Sequence, residues 1–442
     1  MDLTIQPTTS SLSGTITPPA SKSYSHRAFI LASLAEGTST IKNPLTSGDV
    51  SITMNILENS GVKVKKKTKN IYKVHGTGTL QGDPRDLIDC GNSGTSARIF
   101  SALSLIINGG LQLQGEFFRR ERPIKPLLDA LEQLGAYYSL SQNKLSIHRQ
   151  KRVCKDINIR GDISSQFITA LLFLGSIIKC SEKETIKINL TTPVVSYPYL
   201  KITLNIMNEF GLEAQEIRNN SDLVGYKVKT GQKITSKTYT VPSDFSSAAF
   251  IIAAGVLTPT DSKINIENLD FEDPQGDKRI IPILREMGAK IHKDIENKRL
   301  ICYGNIKKNP LNGCQIDCKD IPDLFPILSV IGAFADGKMV LYNAENLRLK
   351  ESDRISIMAR ELTKMGVKVE EKQGSLTIYH CDNLKGIRID HNGDHRIAMA
   401  CTVAALYAVS ESHIESIDIV KDSYPKFVED LQKIGASNIT LQ

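Results

Sequence analysis

Six almost evenly spaced glycines constrain this chain more than any other feature. Gly61, Gly135, Gly211, Gly288, Gly366 and Gly435 are separated by 74, 76, 77, 78 and 69 residues. Four positions before each stands an apolar residue: Leu57, Leu131, Met207, Leu284, Leu362 and Leu431. Directly after them come Val62, Ala136, Leu212, Ala289, Val367 and Ala436. Helices commonly stop at glycine because it takes left-handed backbone at little cost. The residues that follow, such as Lys290-Ile291-His292 and Lys368-Val369-Glu370, alternate as a half-buried strand does. One such match carries little weight. Six at one period predict a chain built from six copies of a unit.

A second signal runs about 40 residues ahead of the first. Polar turns open apolar runs at Ser21-Lys22-Ser23, Gly91-Asn92-Ser93-Gly94-Thr95, Asp162-Ile163-Ser164-Ser165-Gln166, Ser243-Asp244-Phe245-Ser246-Ser247, Asp320-Ile321-Pro322-Asp323 and Asn392-Gly393-Asp394-His395. Ser, Asp, Asn and Pro are helix-start residues. Runs such as Phe167 to Ile178 and Ala248 to Leu257 predict well-buried helices. Each unit then holds two helices with strands around them. If the units pack alike, several helix N-termini, with their free N–H groups and positive dipole ends, serve one anionic ligand site.

At 442 residues the chain is too long for one ordinary core. Two domains of three repeats each follow, with a boundary between Lys229 and Asp244, where polar residues, Gly231 and Pro242 interrupt the pattern. No apolar stretch is long enough to span a membrane, and the first twenty residues carry neither a signal-peptide core nor an Arg-rich transit sequence. Eight scattered cysteines without a secreted framework predict reduced thiols in the cytosol. Cys314 and Cys318 have no second pair or nearby histidine to complete a zinc site, and read as structural. His391 and His395 are four apart, but Asn392 and Gly393 break the helix a metal pair would need. The net charge of +7 suits an acidic small molecule and permits nucleic acid. The basic run Lys63 to Lys69 lies just past a repeat glycine and reads as a solvated strand and turn.

Functional meaning lies in which charged residues occupy the repeat turns. Lys22 and Arg27 flank Ser23 and Ser25; Arg98 follows the second turn; Arg119, Arg120, Arg122 and Lys125 crowd the next helix start. Lys350 and Arg354 lie in one short segment, and His395 and Arg396 open the last apolar run. Isolated surface cations are usually ordinary salt-bridge partners, but placement that recurs with the repeat argues for anion binding. Gly91 to Thr95 is not a Walker A loop, since no Gly-Lys-Ser/Thr follows, and not a nucleophile elbow. Asp323 opens the fifth apolar run and Glu351 lies three before Arg354. Acids among cations can serve as general acid or base, or simply as caps and ion-pair partners.

Seven stretches, taken together, resemble the 5-enolpyruvylshikimate-3-phosphate synthase family. They are Pro19-Ala20-Ser21-Lys22-Ser23-Tyr24-Ser25-His26-Arg27-Ala28, Gly91-Asn92-Ser93-Gly94-Thr95, Arg120-Glu121-Arg122-Pro123-Ile124, Ser164-Ser165-Gln166-Phe167, Ile321-Pro322-Asp323, Lys350-Glu351-Ser352-Asp353-Arg354 and Asp394-His395-Arg396-Ile397-Ala398-Met399. The resemblance implies an α/β (α+β) fold: a two-domain inverse α/β barrel of six βαβαββ-type repeats, three per domain. It places residues 1–20 plus 243–442 in one domain and 21–242 in the other, with crossings near Ala20 and Pro242 and helix N-termini facing the cleft. It implies transfer of the enolpyruvyl group of phosphoenolpyruvate to the 5-hydroxyl of shikimate 3-phosphate, with release of phosphate. It also implies no metal or organic cofactor, no nucleic-acid or membrane partner, a monomer, and a cytoplasmic enzyme.

By the matching motifs, Lys22, Ser23, Arg27, Ser164, Ser165, Gln166, Ser196, Asp323, Asn346 and Lys350 hold shikimate 3-phosphate. Lys22, Gly94, Arg122, Gln166, Arg354 and Arg396 hold phosphoenolpyruvate. The catalytic set is Asp323, which takes the hydroxyl proton, Glu351, which protonates the methylene carbon and later removes a proton, and Lys22. One departure stands out. The family usually has a lysine directly before Ser-Phe/Tyr-Pro, and here Asp422 precedes Ser423-Tyr424-Pro425, with Lys421 one position earlier. A one-residue loop shift would bring Lys421 to phosphoenolpyruvate; without it the site loses a positive charge and gains a negative one near an anion. Tyr197 also stands where a basic residue is common.

Three rival readings are weaker. The related UDP-N-acetylglucosamine enolpyruvyl transferase typically has Lys-Asn at the first turn and a cysteine before Arg-Pro; this chain has Lys22-Ser23, and no cysteine between Gly115 and Arg122. A nucleic-acid binder would carry its charge along one face rather than at helix starts. An inactive anion-binding paralogue would not need both Asp323 and Glu351. Phosphate release from the two substrates is therefore expected to survive chelation of divalent metals. Full loss on chelation, restored by one particular metal, would overturn that expectation.

Overall fold

The computed structural model describes residues 1–442 apart from Thr9, Ser10, Pro84 and Arg152. All six repeat glycines adopt positive φ, from 79° to 112°. They follow the helices Asp49–Asn59, Lys125–Glu132, Tyr197–Glu209, Ile280–Glu286, Arg354–Lys364 and Phe427–Lys433. Five ends close in one way. The N–H after the glycine (Val62, Leu212, Ala289, Val367 and Ala436) donates to the carbonyl five residues back (Leu57, Met207, Leu284, Leu362 and Leu431) at 2.8–3.1 Å. This is the Schellman closure, in which the two residues bonded across the glycine also meet as apolar side chains. The sequence pattern is therefore the imprint of one helix-stop geometry.

Six further helices are the buried ones: Lys22–Leu34, Gly94–Leu103, Ser165–Ile177, Phe245–Val256, Phe325–Phe334 and His395–Leu406. Every residue of Gly94–Leu103, Phe245–Val256 and His395–Leu406 is buried. A helix with no polar stripe is stable only inside protein, and each buried Leu, Ile or Phe contributes about 1.5–3 kcal/mol. Four are capped by side chains that accept a backbone N–H: Ser93 from Ser96 at 3.2 Å, Ser164 from Gln166 at 3.3 Å, Asp244 from Ser247 at 3.0 Å and Asp394 from Arg396 at 2.9 Å.

Six four-stranded sheets share one plan, with one parallel pair and two antiparallel pairs. The repeats do not all supply their own strands. Ser13–Ile16 runs parallel to Ser262–Ile266, with Ile16 opposite Ile266. Thr238–Thr240 runs parallel to Glu36–Lys42, with Thr240 opposite Lys42. Leu3–Ile5 lies between Ser412–Ile414 and Ile439–Leu441, antiparallel to both. The chain divides into two compact units, Met1–Ser21 with Pro242–Gln442, and Lys22–Val241. Each holds three of the sheets. In the first unit Leu3, Ile5, Leu12 and Ile16 join a core made by the helices Phe245–Val256, Phe325–Phe334 and His395–Leu406. Lys63–Thr68 is a strand of mostly exposed residues, as expected of the basic run. No helix among the described residues is long and apolar enough to cross a membrane.

The cysteines depart from the expectation of eight reduced thiols. Cys154 and Cys180 form a disulfide, and the other six are free. The fold brings the segment before Ile157–Ile159 beside the loop after Ser165–Ile177, a tertiary proximity that no cysteine spacing announces. Burial pushes the Cys302 thiol up to about 12, so that cysteine is inert at neutral pH. The bond joins residues 26 apart, and a cross-link over such a loop is worth about 3 kcal/mol by its effect on the unfolded chain. Replacing both cysteines with serine is expected to lower the unfolding free energy by about 2–4 kcal/mol in urea titration. An unchanged midpoint would show that the bond adds nothing to stability.

Candidate active site

In the unit Lys22–Val241 the polar residues gather at helix starts. Lys22 opens the first buried helix, with Nζ 3.4 Å from Asp49 Oδ2 and both side chains 14% exposed. One turn on, Arg27 is 3% exposed. Its guanidinium donates to Thr203 Oγ1 at 2.9 Å, the Ser23 carbonyl at 2.9 Å, Thr169 Oγ1 at 3.3 Å and the Tyr199 carbonyl at 3.5 Å. All four acceptors are neutral. Burial lowers its pKa to about 10, with Tyr24 and Tyr199 opposing, yet it stays charged at neutral pH. Burial, then Lys22 and Arg27, hold the His26 pKa well below the usual histidine range, so His26 is neutral. A desolvated cation with only neutral dipoles around it is a site that an anion would stabilise.

Arg98, Arg122 and Gln166 form a second group in the same unit. Arg98 donates to Gln166 Oε1 at 2.6 Å and to the Pro123 carbonyl at 2.8 and 3.1 Å, between the rings of Phe117 and Phe167 at 5.1 and 5.2 Å. Arg122 donates to the Asn92 carbonyl at 2.6 Å and lies over Phe117 at 5.3 Å. Gln166 Nε2 donates to Thr95 Oγ1 at 2.9 Å. A Cβ at Gly94 would stand 3.0 Å from Arg98 Nη1 and 3.1 Å from Arg122 Nη2. Glycine there lets both guanidinium groups approach the backbone of a helix N-terminus. Ser164 and Ser165 are buried at the start of the third buried helix. Ser196 takes a left-handed conformation, φ 57°, and its buried Oγ has no hydrogen-bond partner among the described residues. Arg119 and Arg120 instead pair with Glu116, both at 2.9 Å, and Lys125 pairs with Asp129. Tyr197 bonds Glu216 at 2.7 Å.

In the other unit one guanidinium organises the chemistry. Arg354 is 1% exposed and begins the helix Arg354–Lys364. Its Nε lies 2.8 Å from Asp394 Oδ2, its Nη1 2.8 Å from Asp323 Oδ1 and its Nη2 3.0 Å from Glu351 Oε2. Burial works against its charge, but Asp394, Glu351 and Asp323 outweigh burial and raise its pKa. The second oxygen of Asp323 takes Arg396 Nη2 at 2.9 Å. Asp394 also caps the helix His395–Leu406, accepting from the backbone N–H of Arg396. Asn346 is 4% exposed, with both amide atoms unpartnered among the described residues, so a polar ligand would satisfy them. Lys350 is half-buried directly before Glu351. Lys421 lies on the turn Ile417–Asp422, about half exposed, ion-paired with Asp418.

The arrangement therefore brings together Asp323, Glu351, Arg354 and Arg396 in one unit, and Gly94, Arg98, Arg122 and Gln166 in the other. Sequence reasoning passed over Asp277, 2% exposed on the turn Gly276–Arg279 and hydrogen-bonded by Ser246 Oγ. Its surroundings in Gln275-Gly276-Asp277 read only as a turn, and no period or charge run singles it out. Among the described residues no group of three or more His, Cys, Asp or Glu is placed to hold a metal ion.

Comparison with known proteins covers the whole chain. Residues 7–431 match the family profile of EPSP synthase (3-phosphoshikimate 1-carboxyvinyltransferase). A 3-phosphoshikimate 1-carboxyvinyltransferase of Methanocaldococcus jannaschii is 42% identical over 443 aligned positions, covering 99% of each chain. That of Methanococcus aeolicus is 41% identical, covering 98% of this chain and 99% of its own. The crystal structure of EPSP synthase from Acinetobacter baumannii superposes with a TM-score of 0.78 at 25% identity, covering 99% of both chains. It shares the α/β fold expected from the sequence. The chain belongs to the EPSP synthase (3-phosphoshikimate 1-carboxyvinyltransferase) family.

Proposed function

We propose that this chain transfers the enolpyruvyl group of phosphoenolpyruvate to the 5-hydroxyl of shikimate 3-phosphate, releasing phosphate by addition and elimination. The observation that carries the mechanism is the single buried fork of Arg354, which holds Asp323 and Glu351 at 2.8 and 3.0 Å. Asp323, ionised between Arg354 and Arg396, accepts the hydroxyl proton as the oxygen attacks C2. Glu351 delivers a proton to the methylene carbon, and later removes one as phosphate departs. Beside the Arg354 guanidinium Glu351 favours its ionised form. When the anion phosphoenolpyruvate engages Arg354, part of that positive field is neutralised and protonation of Glu351 becomes easier.

Shikimate 3-phosphate is assigned to Lys22, Ser23, Arg27, Ser164, Ser165, Gln166, Ser196, Asp323, Asn346 and Lys350. The unpartnered Ser196 Oγ and Asn346 amide support two of these assignments, and the neutral surroundings of Arg27 support a third. Phosphoenolpyruvate is assigned to Lys22, Gly94, Arg122, Gln166, Arg354 and Arg396, with Lys421 joining after its loop shifts away from Asp418. The enzyme is placed in the cytoplasm as a monomer, without a resident metal or cofactor. Continuous phosphate-release assay with both substrates tests the reading as a whole; no release with either order of addition would refute it.

Two variants test the parts. Glu351→Gln keeps the shape but not the titrating proton, and is expected to lower turnover by about 10²–10⁴-fold. Calorimetric binding of shikimate 3-phosphate should change little, and a variant with near wild-type turnover would remove Glu351 from the mechanism. Lys421→Ala is expected to raise the KM for phosphoenolpyruvate about tenfold or more, as loss of a charged hydrogen bond implies. Shikimate 3-phosphate affinity should be preserved. An unaltered KM would leave Lys421 as the surface partner of Asp418 alone.

A further inference from the structure

Asp277 is buried at the start of the turn Gly276–Arg279, where its Oδ2 accepts a hydrogen bond from Ser246 Oγ and its Oδ1 has no partner among the described residues. An ionised carboxylate with one hydrogen bond and no water is costly to bury, by several kcal/mol. The protonated acid costs less. Three charged groups face it from neighbouring elements: Asp244 at the cap of Phe245–Val256, Asp323 before Phe325–Phe334, and Arg396 at the start of His395–Leu406. The cations of its own turn are engaged elsewhere, Lys278 with the carbonyls of Phe271 and Asp273 at 2.9 and 2.7 Å and Arg279 with that of Asp317 at 3.2 Å. On the adjoining helix Ile280–Glu286, Arg285 donates to the Ile291 carbonyl at 3.0 Å and Glu286 is exposed.

The balance of charge around it is uneven. Asp323 and Asp244 face Asp277 with negative charge, and Arg396 is the cation that opposes them. Asp323 is itself paired with both Arg354 and Arg396. We propose that Asp277 is a positioning residue for the phosphoenolpyruvate half of the site: an anion arriving at Arg396 draws a proton from solvent onto the Asp277 carboxyl, and that proton lets Asp323 stay ionised beside Arg396. This rests on the reading that Arg396 receives phosphoenolpyruvate. No bond to carbon is involved; one proton moves from water to Asp277 as the anion binds and returns as product leaves.

The field at Asp277 supports the assignment. Burial, then the negative charge of Asp323, push its pKa up to about 7, with Arg396 and the Ser246 hydroxyl opposing and Asp244 adding to the rise. Arg396 is thus the main charge keeping Asp277 ionisable near neutral pH. An anion bound at Arg396 cancels that help and moves the proton onto Asp277. A purely structural aspartate would hold its turn equally well as asparagine and would leave no mark on a pH profile.

The test is the pH dependence of KM for phosphoenolpyruvate in wild type and Asp277→Asn, at saturating shikimate 3-phosphate. Above about pH 7 the ratio of the wild-type KM to that of Asp277→Asn should rise, by up to about tenfold per pH unit. Ionisation of phosphoenolpyruvate is common to both, so the ratio isolates Asp277. Turnover of the variant near neutral pH should stay within about threefold of wild type, since no reacting atom is touched. A ratio that stays flat across the range overturns the proposal. Infrared spectroscopy of the ligand-free wild type supplies a second readout that does not require the variant to fold. A buried protonated carboxyl band is expected on the acid side, lost as pH rises, restored by inorganic phosphate, and shifted in Ser246→Ala. A wild type without that band on the acid side also overturns the proposal. If the wild type releases no phosphate from the two substrates, the functional reading falls by itself, and the infrared titration with inorganic phosphate still decides whether Asp277 takes up the proton.

Discussion

A guanidinium that is 1% exposed must be compensated inside the protein, and Arg354 is compensated by three carboxylates from three separate segments. Removing one member of a buried charged set typically costs about 3–5 kcal/mol, because the charge left behind has lost both water and partner. This one cation therefore ties together the turn before Phe325–Phe334, the turn before Arg354–Lys364 and the cap of His395–Leu406. The repeat supplies the helix starts, and Arg354 sets where their acids point. The same geometry that satisfies the charge also fixes Asp323 and Glu351 relative to one another, which the acid and base roles proposed for them require.

The two units treat their arginines differently. Arg354 and Arg396 are held by carboxylates at 2.8–3.0 Å, whereas the bonds of Arg27 run to hydroxyls and carbonyls. A cation with carboxylate partners can exchange one anion for another at modest cost. A cation surrounded by neutral dipoles gains more from an arriving anion, since nothing has to be displaced. That contrast fits a ligand bound tightly by Arg27 and a reacting anion that competes for Arg354 with the groups that act on it.

Much of this is legible in the amino-acid order alone. The six glycines announce six helix ends because each stop needs a left-handed residue, and at five of them a Schellman closure adds an apolar pair around it, all within six positions. The buried helices are legible because runs such as Phe245–Val256 have no polar face. The motif residues Lys22, Arg122, Glu351 and Arg396 are legible as a set rather than singly. What cannot be read that way depends on contacts distant in sequence. The pairings of Ser13–Ile16 with Ser262–Ile266 and of Thr238–Thr240 with Glu36–Lys42 join segments some 200 or more residues apart, and leave no local pattern. The Cys154–Cys180 bond and the Ser246–Asp277 contact are of the same kind. Lys421 shows the converse: its place one residue from the family position is plain in the sequence, but its pairing with Asp418 is not.

The borrowed strands also bear on how the chain is made. Leu3–Ile5 and Ser13–Ile16 leave the ribosome first, yet their partners are Ser262–Ile266, Ser412–Ile414 and Ile439–Leu441. The residues Lys22–Val241 contain all the strands of their own three sheets and can close as soon as Thr238–Thr240 emerges. The N-terminal segment must then wait, unpaired, while an entire unit folds behind it. Vectorial synthesis therefore sets an order in which the middle of the chain matures before its beginning. An edge strand that is short and polar, as Ser13-Gly14-Thr15-Ile16 is, tolerates that wait better than a long apolar one, because it offers little for a stray partner to pair with.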